Sequence, residues 1–435
     1  MKQHKNLTRV FAWGKQIASL LEDGGKIYFE ATGASTVDFS PLQLQPSGTH
    51  SYPDLGFQHY LPGLIADHLP GSYGLKYMDA FFRKANGRLP SVSERLQFIG
   101  KHSIGALEFE PAVDAGVKGT AIEMREMYQL SKEALQGEHD FALATLIAVS
   151  NSAGGGARAK AHVGYCKESQ KIYVADKHAT LPPGFVHSIV KFDEYKEKGH
   201  AFIPELYTTS SVFTKTEYIY SLIARELGIV MADTDLIETG EGVHFVTTRF
   251  DRDGSGKRKH LHSLAGLLHF DASKQYGLGY ESIFRTGLAL GVSSASHEQI
   301  YKVMIFNLVF GNRDDHAKNF SFIMDEKRTW EFSPAYDLTF VINKGASAEH
   351  QLSIGGEPAS WVKERQLGEI ASKFGVPNHR EIIERTIDAK HAMLPTLGKT
   401  HGLPDEWLRD IFEKTDEIDR ALQLGRRVSS SKGGE

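Results

Sequence analysis

The sequence predicts an α+β fold in which a β-rich lobe precedes a mainly helical lobe. Three observations support this prediction. Short apolar runs of strand length, bounded by glycine and aspartate turns, recur as far as residue 256. Patterns with helical spacing dominate from residue 263 onward. Within the helical part, the apolar run 303–310 leads into a polar loop, residues 311–319, that is rich in groups able to do chemistry.

We expect four parts along the 435 residues. Residues 1–138 should form an N-terminal α/β subdomain, and residues 139–256 a β-rich lobe. Residues 257–428 should form the helical lobe, and residues 429–435 a disordered polar tail. The expected fold is therefore bilobal, with an additional N-terminal subdomain.

Individual elements follow from periodicity and turn residues. Strands are predicted at residues 10–13, 26–29, 171–174, 188–192 and 243–250. Helices are predicted at residues 61–84 (interrupted at Pro70-Gly71), 117–136, 214–227 and 404–424.

Composition restricts where the protein works. Apolar residues make up 41% and charged residues 24%, and the net charge is -4, so no bulk attraction to nucleic acid or to an anionic membrane is expected. Cys166 is the only cysteine, which excludes an intramolecular disulfide and fits a reducing compartment. No apolar run is long enough to span a bilayer. We therefore expect a cytoplasmic protein without membrane contact.

The loop at residues 311–319 predicts kinase-type phosphoryl transfer. Asp314 precedes Asn319 by five residues, which is the D-x-x-x-x-N spacing of a protein-kinase catalytic loop, and Asp337 follows. Such chemistry needs one carboxylate at the substrate hydroxyl, with an amide and a second carboxylate to hold magnesium. Asp314 is therefore the candidate catalytic residue, and Asn319 and Asp337 are the candidate Mg²⁺ ligands. Asp315 has the wrong spacing and is expected to matter much less.

A glycine-rich turn is the candidate phosphate cradle. Gly154, Gly155 and Gly156 would allow backbone N–H groups to approach phosphate oxygens, with Lys160 close behind. Ala161 after Lys160 excludes a Walker A loop. A flexible hairpin explains the same glycines equally well.

Lys191 is the second candidate phosphate ligand. It lies in the apolar strand 188–192, where a buried ammonium is costly without a partner, and an ATP phosphate would supply one. Glu217, early in the next helix, has two interpretations of equal weight. It either pairs with Lys191, or it closes a capping box with Thr214.

Several motifs, in order, resemble the HipA family of serine/threonine kinases, the toxin half of HipA/HipB toxin–antitoxin modules. The first two are residues 64–74 and Gly105-Ala106-Leu107-Glu108-Phe109-Glu110-Pro111. The third is the segment Gly155-Gly156-Ala157-Arg158-Ala159-Lys160. The most specific are Asn312-x-Asp314-x-His316-x-Lys318-Asn319 and Tyr336-Asp337.

The resemblance implies a bilobal kinase that uses ATP and Mg²⁺. It assigns the same roles to Asp314, Asn319, Asp337 and Lys191. It further implies that Thr248 and Phe250 meet adenine through the backbone. The loop residues His316 and Lys318 are expected to contact the nucleotide.

The family also implies partners and regulation. Its members phosphorylate proteins, including aminoacyl-tRNA synthetases, and pair with a small helix-turn-helix antitoxin (HipB-like) that carries most of the contact with operator DNA. A serine in the glycine-rich loop is autophosphorylated, which silences the kinase. Here the candidates are Ser152 first and Ser150 second.

Two other classes stay open at the level of sequence. One is a small-molecule kinase of the aminoglycoside or choline phosphotransferase type, whose loop shares the Asp and Asn spacing. The other is a nonenzymatic co-repressor that acts only through a DNA-binding antitoxin. The presence of Asp314, Asn319 and Asp337 together argues against the nonenzymatic role, whereas an acidic pocket for a cationic amine would favour the small-molecule kinase.

Overall fold

The structure is a computed structural model that describes residues 6–112, 120–128, 160–174, 181–193, 211–240, 242–341 and 349–429. Packing divides the chain into two units. Unit 1 comprises Met1–Phe192, Ile237–Asp271 and Ser321–Thr329, and unit 2 comprises Asp193–Leu236, Ala272–Phe320 and Trp330–Glu435.

The described ranges contain runs of strands followed by runs of helices, and the paired strands of the sheets are antiparallel, which confirms the predicted α+β class. The helices are α1 (Gly63–Ala66), α2 (Ser72–Asn86), α3 (Val92–Ile99), α4 (Val212–Glu226), α5 (Leu264–Leu267), α6 (Tyr280–Leu290), α7 (Ser294–Phe310), α8 (Glu364–Phe374), α9 (His379–Thr400) and α10 (Asp405–Ser429). The first eight strands are β1 (Leu7–Ala12), β2 (Lys15–Asp23), β3 (Lys26–Ala31), β4 (Thr49–His50), β5 (Leu107–Glu110), β6 (Thr120–Ile122), β7 (Lys160–Cys166) and β8 (Lys171–Val174). The others are β9 (Val186–Lys191), β10 (Thr234–Thr239), β11 (Gly242–Thr248), β12 (His260–Ser263), β13 (Ser321–Met324), β14 (Trp330–Phe332), β15 (Ser353–Ile354) and β16 (Glu357–Pro358).

Unit 1 begins with an antiparallel sheet in the order β4-β3-β2-β1-β5. Burial alternates along β1, where Thr8, Val10 and Ala12 are buried, so one face of the sheet carries the core. Helix α3 packs against β1, β2 and β5. Its start is fixed by a capping box, since Ser91 Oγ accepts from the Glu94 N–H and Glu94 Oε2 accepts from the Ser91 N–H.

The second sheet of unit 1 has the order β10-β11-β9-β7-β8-β6. One of its faces is apolar and packs against Met127 and Tyr128 around Val163, Val190 and Val246. The predicted strands at 171–174, 188–192 and 243–250 are confirmed by β8, β9 and β11. The predicted helix at 117–136 is wrong at its start, because residues 120–122 pair with β8 as an edge strand. Residues 124–128 are helical, and the rest of the predicted range, residues 129–136, lies outside the described residues.

A buried network of hydrogen bonds around Asp67 joins the end of helix α1 to the start of helix α5 in unit 1. Asp67 Oδ2 lies 2.6 Å from His262 Nδ1, and its two oxygens also accept from the Ser263 N–H and hydroxyl at 2.8 Å. The other nitrogen of the His262 ring lies 3.0 Å from Ser40 Oγ. Burial alone would raise the pKa of Asp67, but the hydrogen bond and charge of His262, together with Ser263, lower it to about 2. Both oxygens of Asp67 and both ring nitrogens of His262 have partners, so this network holds the segments together.

His68 gives unit 1 a specific weakness in acid. The side chain is fully buried, neither ring nitrogen has a hydrogen-bond partner, and burial lowers its pKa from 6.5 to about 4. Between these values the unfolded chain binds a proton that the folded chain excludes, so folding stability falls as the pH drops from 6.5 toward 4. We expect His68→Leu to reduce the loss of unfolding free energy between pH 7 and pH 5 by about 2 kcal/mol.

Urea titrations at both pH values measure this effect. His379→Gln is the control, because His379 is partly exposed. An acid sensitivity unchanged by His68→Leu would show that other groups, such as the buried His260, control the transition.

Unit 2 is built around helix α7, which is buried on nearly all sides. Phe306 and Phe310 stack with ring centroids 4.2 Å apart, and helices α9 and α10 pack against α7. Tyr220 of α4 donates its hydroxyl to the Phe310 carbonyl at 2.9 Å, which satisfies an acceptor at the end of α7. The loop that follows α7 therefore starts from a rigid support. None of the helices in the described ranges combines the length and apolarity that a bilayer crossing requires.

Candidate active site

The candidate catalytic loop begins where α7 ends. Gly311 has φ 66°, and its N–H caps the helix by bonding the Asn307 carbonyl. A Cβ at this position would lie 2.9 Å from Thr415 Cγ2. Glycine is therefore required both by the left-handed backbone and by the close approach of α10.

Asp314 lies at the surface of this loop. Its side chain is 51% exposed, so its carboxylate is accessible to a substrate. Asn319 closes the loop by donating from Nδ2 to the Asp314 backbone carbonyl at 2.7 Å. Because a carbonyl only accepts, this bond fixes the amide orientation and leaves Asn319 Oδ1 on the other side. The two residues predicted from the five-residue spacing are thus locked in one turn.

His316 organises the centre of the loop. It is the N-cap of a short 3₁₀ helix, Ala317–Asn319, and its Nδ1 accepts the Lys318 N–H at 3.3 Å. Its Nε2 lies 3.7 Å from Asp314 Oδ1. The Lys318 side chain is exposed. The structure therefore places His316 beside the Asp314 carboxylate, and the nucleotide contacts of both residues stay predictions.

Asp337 is brought to the same loop by two hydrogen bonds in its neighbourhood. Its backbone carbonyl accepts from Asn312 Nδ2 at 3.2 Å, and the preceding Tyr336 donates its hydroxyl to the Lys318 carbonyl at 2.7 Å. Asp337 has φ 54°, a left-handed conformation that is uncommon for residues other than glycine. Such strain persists only where the surroundings impose it and often marks a functional position.

The donor set of unit 2 fits a magnesium ion. The Asn319 amide oxygen and the Asp337 carboxylate are hard oxygen ligands of the kind that Mg²⁺ prefers, and Mg²⁺ commonly takes only one or two protein ligands beside water and phosphate oxygens. Within the described ranges, no group of three or more His, Cys, Asp or Glu residues has the geometry of a metal site formed by the protein alone. Bound by Asn319 and Asp337, Mg²⁺ would complete its coordination with water and phosphate oxygens.

Asp315 differs from Asp314 in its exposure and in the hydrogen bonds of its carboxylate. It is fully buried, and its carboxylate accepts from the Tyr280 hydroxyl, the His350 ring and the Gln351 N–H. Exposure therefore supports Asp314 as the reactive carboxylate. The expectation that Asp315 matters much less than Asp314 for transfer stays a prediction, although a buried carboxylate with three partners is costly to replace.

Unit 1 places the two predicted lysines side by side. Lys160 of β7 and Lys191 of β9 are direct cross-strand partners, so their side chains share a face of the sheet. Both are buried, with exposures of 8% and 9%, and Lys191 Nζ lies 5.7 Å from the Phe245 ring centroid. The contact of Lys160 and Lys191 with a phosphate stays a prediction.

The predicted adenine-binding segment lies at the end of β11. The Arg249 N–H bonds the His187 carbonyl at 2.8 Å, so the alternation of an antiparallel ladder turns the polar backbone groups of Thr248 away from β9. Phe250 follows in the turn after the strand. These groups face the side of β11 on which β10 lies, and the contact of Thr248 and Phe250 with adenine stays a prediction.

Buried ion pairs fix this segment. Asp251 accepts from Arg249 Nη2 at 2.7 Å, from Arg252 Nη1 at 2.8 Å and from the Gly105 N–H at 2.6 Å. Burial alone would raise the pKa of Asp251, but the two guanidinium charges hold it well below its usual range. The motif around Gly105 therefore serves to anchor the strand end that carries Thr248.

Three predicted positions need separate comment. Gly154, Gly155 and Gly156 of the glycine-rich turn, with Ser150 and Ser152, lie outside the described residues. The capping-box interpretation of Glu217 is wrong, because α4 begins at Val212 and Glu217 lies beyond its first turn, buried to 5% exposure. Its pairing with Lys191 stays a prediction.

Sequence reasoning missed the residues that hold the loop together. They are Asn307, Asn312, Tyr280, Tyr336 and His350. Asn312 and Tyr336 belong to the motifs that resemble the HipA family, but the sequence analysis gave neither residue a role. Tyr280 and His350 lie 35 residues from Asp315 on either side, which no local pattern reveals.

An α+β fold whose helical unit presents an exposed aspartate beside an amide and a second carboxylate is kinase-like. The solved structure of HipA from the Shewanella oneidensis MR-1 HipA, HipB and operator DNA complex has the same fold, with a TM-score of 0.63 at 18% identity over 96% of each chain. The model of the HipA-like C-terminal domain family matches residues 152–394. The chain belongs to this family.

Two curated relatives have informative names. The serine/threonine-protein kinase toxin HipA of Shewanella oneidensis is 23% identical over 345 residues, which are 73% of this chain and 72% of that protein. A putative kinase of Haemophilus influenzae is 28% identical over 163 residues, 34% of this chain. The match spans about half, 48%, of the Haemophilus protein.

Proposed function

We propose that the chain is a serine/threonine protein kinase that uses Mg-ATP and acts as a growth-inhibiting toxin. The observation that carries this proposal is the single loop in which Asp314 is exposed, Asn319 is bonded to its backbone, and Asp337 is tethered through Asn312. These are the three groups that phosphoryl transfer to a hydroxyl requires. Asn319 and Asp337 would hold Mg²⁺, which supplies charge neutralisation of the phosphates.

Other residues of this chain would accept the substrate proton and bind the nucleotide. The Asp314 carboxylate accepts the proton of the attacking serine or threonine hydroxyl, and the adjacent His316 limits where that carboxylate can turn. The exposure of Asp314 favours a hydroxyl carried on a protein over one enclosed in a deep pocket. Lys160 and Lys191, which lie on adjacent strands, would contact the triphosphate, and Thr248 would offer backbone groups to adenine.

The proposal extends to partners by similarity. The solved relative is named as a complex of HipA with HipB and operator DNA, and a curated relative is named a kinase toxin. We infer that this chain pairs with a HipB-like helix-turn-helix antitoxin, which would carry most of the operator contact. The inferred substrate is a protein of translation, such as an aminoacyl-tRNA synthetase.

A nucleotide titration tests the metal ligands. Wild-type protein should bind ATP more tightly with Mg²⁺ than without it. Asp337→Ala should lose on the order of 100-fold in Mg-ATP affinity, because second-shell losses alone cost about 10- to 100-fold in metal sites. Calorimetry with and without Mg²⁺ measures both values.

Asp405→Ala is the matched control, since Asp405 is an exposed carboxylate in the first turn of α10. It should bind Mg-ATP as the wild type does. If Asp337→Ala keeps the full magnesium dependence, the metal is held by other residues and the proposed arrangement is wrong.

A further inference from the structure

The buried carboxylate of Asp315 is the most heavily bonded group near the reactive loop. Its exposure is 0%, and it accepts the Tyr280 hydroxyl at 2.6 Å, His350 Nδ1 at 2.9 Å and the Gln351 N–H at 2.7 Å. Its exposed neighbour Asp314 is the proposed catalytic residue. The peptide between the two aspartates therefore has one side chain at the surface and the other fixed in the core.

The three donors come from two distant parts of unit 2. Tyr280 is the first residue of α6, whereas His350 and Gln351 follow Asp337 by 13 and 14 residues. On the other side of Asp314, Asn312 holds the Asp337 carbonyl at 3.2 Å. The candidate catalytic loop therefore contacts two later parts of the chain. Asn312 contacts Asp337, and Asp315 contacts His350 and Gln351.

The contacts form one directional chain of hydrogen bonds. Asn312 Nδ2 donates to Asn307 Oδ1 at 3.0 Å, and Asn307 Nδ2 donates to the Tyr280 hydroxyl at 3.1 Å. The Tyr280 hydroxyl in turn donates to Asp315. Burial, and next the charge of Asp315, raises the pKa of Tyr280 well above its usual value, so the phenol keeps its proton. A chain of donors that ends on a carboxylate is mutually reinforcing.

We propose that Asp315 is a positioning residue that couples the orientation of the Asp314 carboxylate to the seating of His350 and Gln351. This inference rests on the proposed kinase function. Asp315 does not touch substrate; it fixes the backbone on which Asp314 stands. A change in how the returning segment binds Asp315 therefore changes the rate of transfer without changing nucleotide binding.

Asp315→Asn tests this role at constant volume. The amide places an N–H₂ group among three donors, so at least one of them loses its acceptor. We expect kcat for transfer of labelled phosphate from ATP to fall about 10-fold, because a misplaced catalytic side chain costs rate even when it is still present. The calorimetric affinity for Mg-ATP should stay within about twofold. A lower thermal midpoint with unchanged kcat would assign Asp315 a structural role only and overturn the proposal.

A paired substitution gives a result that a general loss of stability does not. Asp315→Asn combined with His350→Gln restores a donor–acceptor pair, because a glutamine carbonyl accepts from the new amide. We expect the double variant to regain part of kcat relative to Asp315→Asn, a positive coupling in the double-mutant cycle. Additive losses would contradict coupling through the 315–350 contact.

Two further results decide the remaining cases. If Asp315→Asn does not fold, Tyr280→Phe and His350→Leu each remove one donor, and both should lower kcat with Mg-ATP affinity unchanged. Unchanged kcat in both would overturn the proposal. Absence of transfer by the folded wild-type protein would instead overturn the proposed function, and this inference with it.

Discussion

Replacing Asp314 with asparagine is expected to reduce phosphate transfer by a factor on the order of 10² or more. The amide keeps the shape of the side chain but cannot accept the proton of an attacking hydroxyl. Because the side chain is 51% exposed, and because Asn319 binds the backbone rather than the side chain of Asp314, the loop should keep its structure. Mg-ATP affinity and the thermal midpoint should therefore change little.

Transfer from labelled ATP to protein, followed over time, measures this loss. Asp405→Asn is the control for removing an exposed carboxylate elsewhere in unit 2. Asp315→Asn should lose less than Asp314→Asn, since it displaces the reactive group without removing it. Equal losses in the two variants, or full activity in Asp314→Asn, would contradict the assignment.

The second large effect is expected in cells. Expression of the chain without an antitoxin should arrest growth, and Asp314→Gln should restore growth at the same level of soluble protein. The reason is that the inferred toxicity depends on phosphate transfer, for which the carboxylate is required. Growth rates after induction, with protein levels measured by immunoblot, give the comparison.

This experiment also separates the proposed kinase from a nonenzymatic co-repressor. Arrest that persists with a folded Asp314→Gln protein would favour a binding role over catalysis. Growth that continues unaffected with the wild-type protein would contradict the toxin proposal. An exposed-carboxylate variant such as Asp405→Gln should arrest growth as the wild type does.

The sequence predicted those features that depend on residues close together in the chain. The strand pattern around Lys191 and the spacing of Asp314 and Asn319 each describe a short segment whose side chains alternate or turn in a fixed way. The α+β class followed from the same patterns and is confirmed. The position of Lys160 beside Lys191 was not predicted, because Lys160 was assigned to the glycine-rich turn and not to a strand.

The support of the loop could not be predicted, because it comes from residues distant in sequence. Asp315 resembled a redundant neighbour of Asp314 until its three partners were known, and each partner lies more than thirty residues away. Glu217 was ambiguous because Thr-x-x-Glu also occurs at helix starts, and only the observed start of α4 at Val212 excluded the cap.

The central claim is that Asn319 and Asp337 hold the metal beside Asp314. Crystals grown with a non-hydrolysable ATP analogue and Mn²⁺ in place of Mg²⁺ test it most directly, because Mn²⁺ has a measurable anomalous signal. We expect an anomalous peak within coordination distance of Asn319 Oδ1 and the Asp337 carboxylate, with a phosphate of the analogue completing the coordination. A metal and nucleotide bound elsewhere, with both residues unliganded, would contradict it.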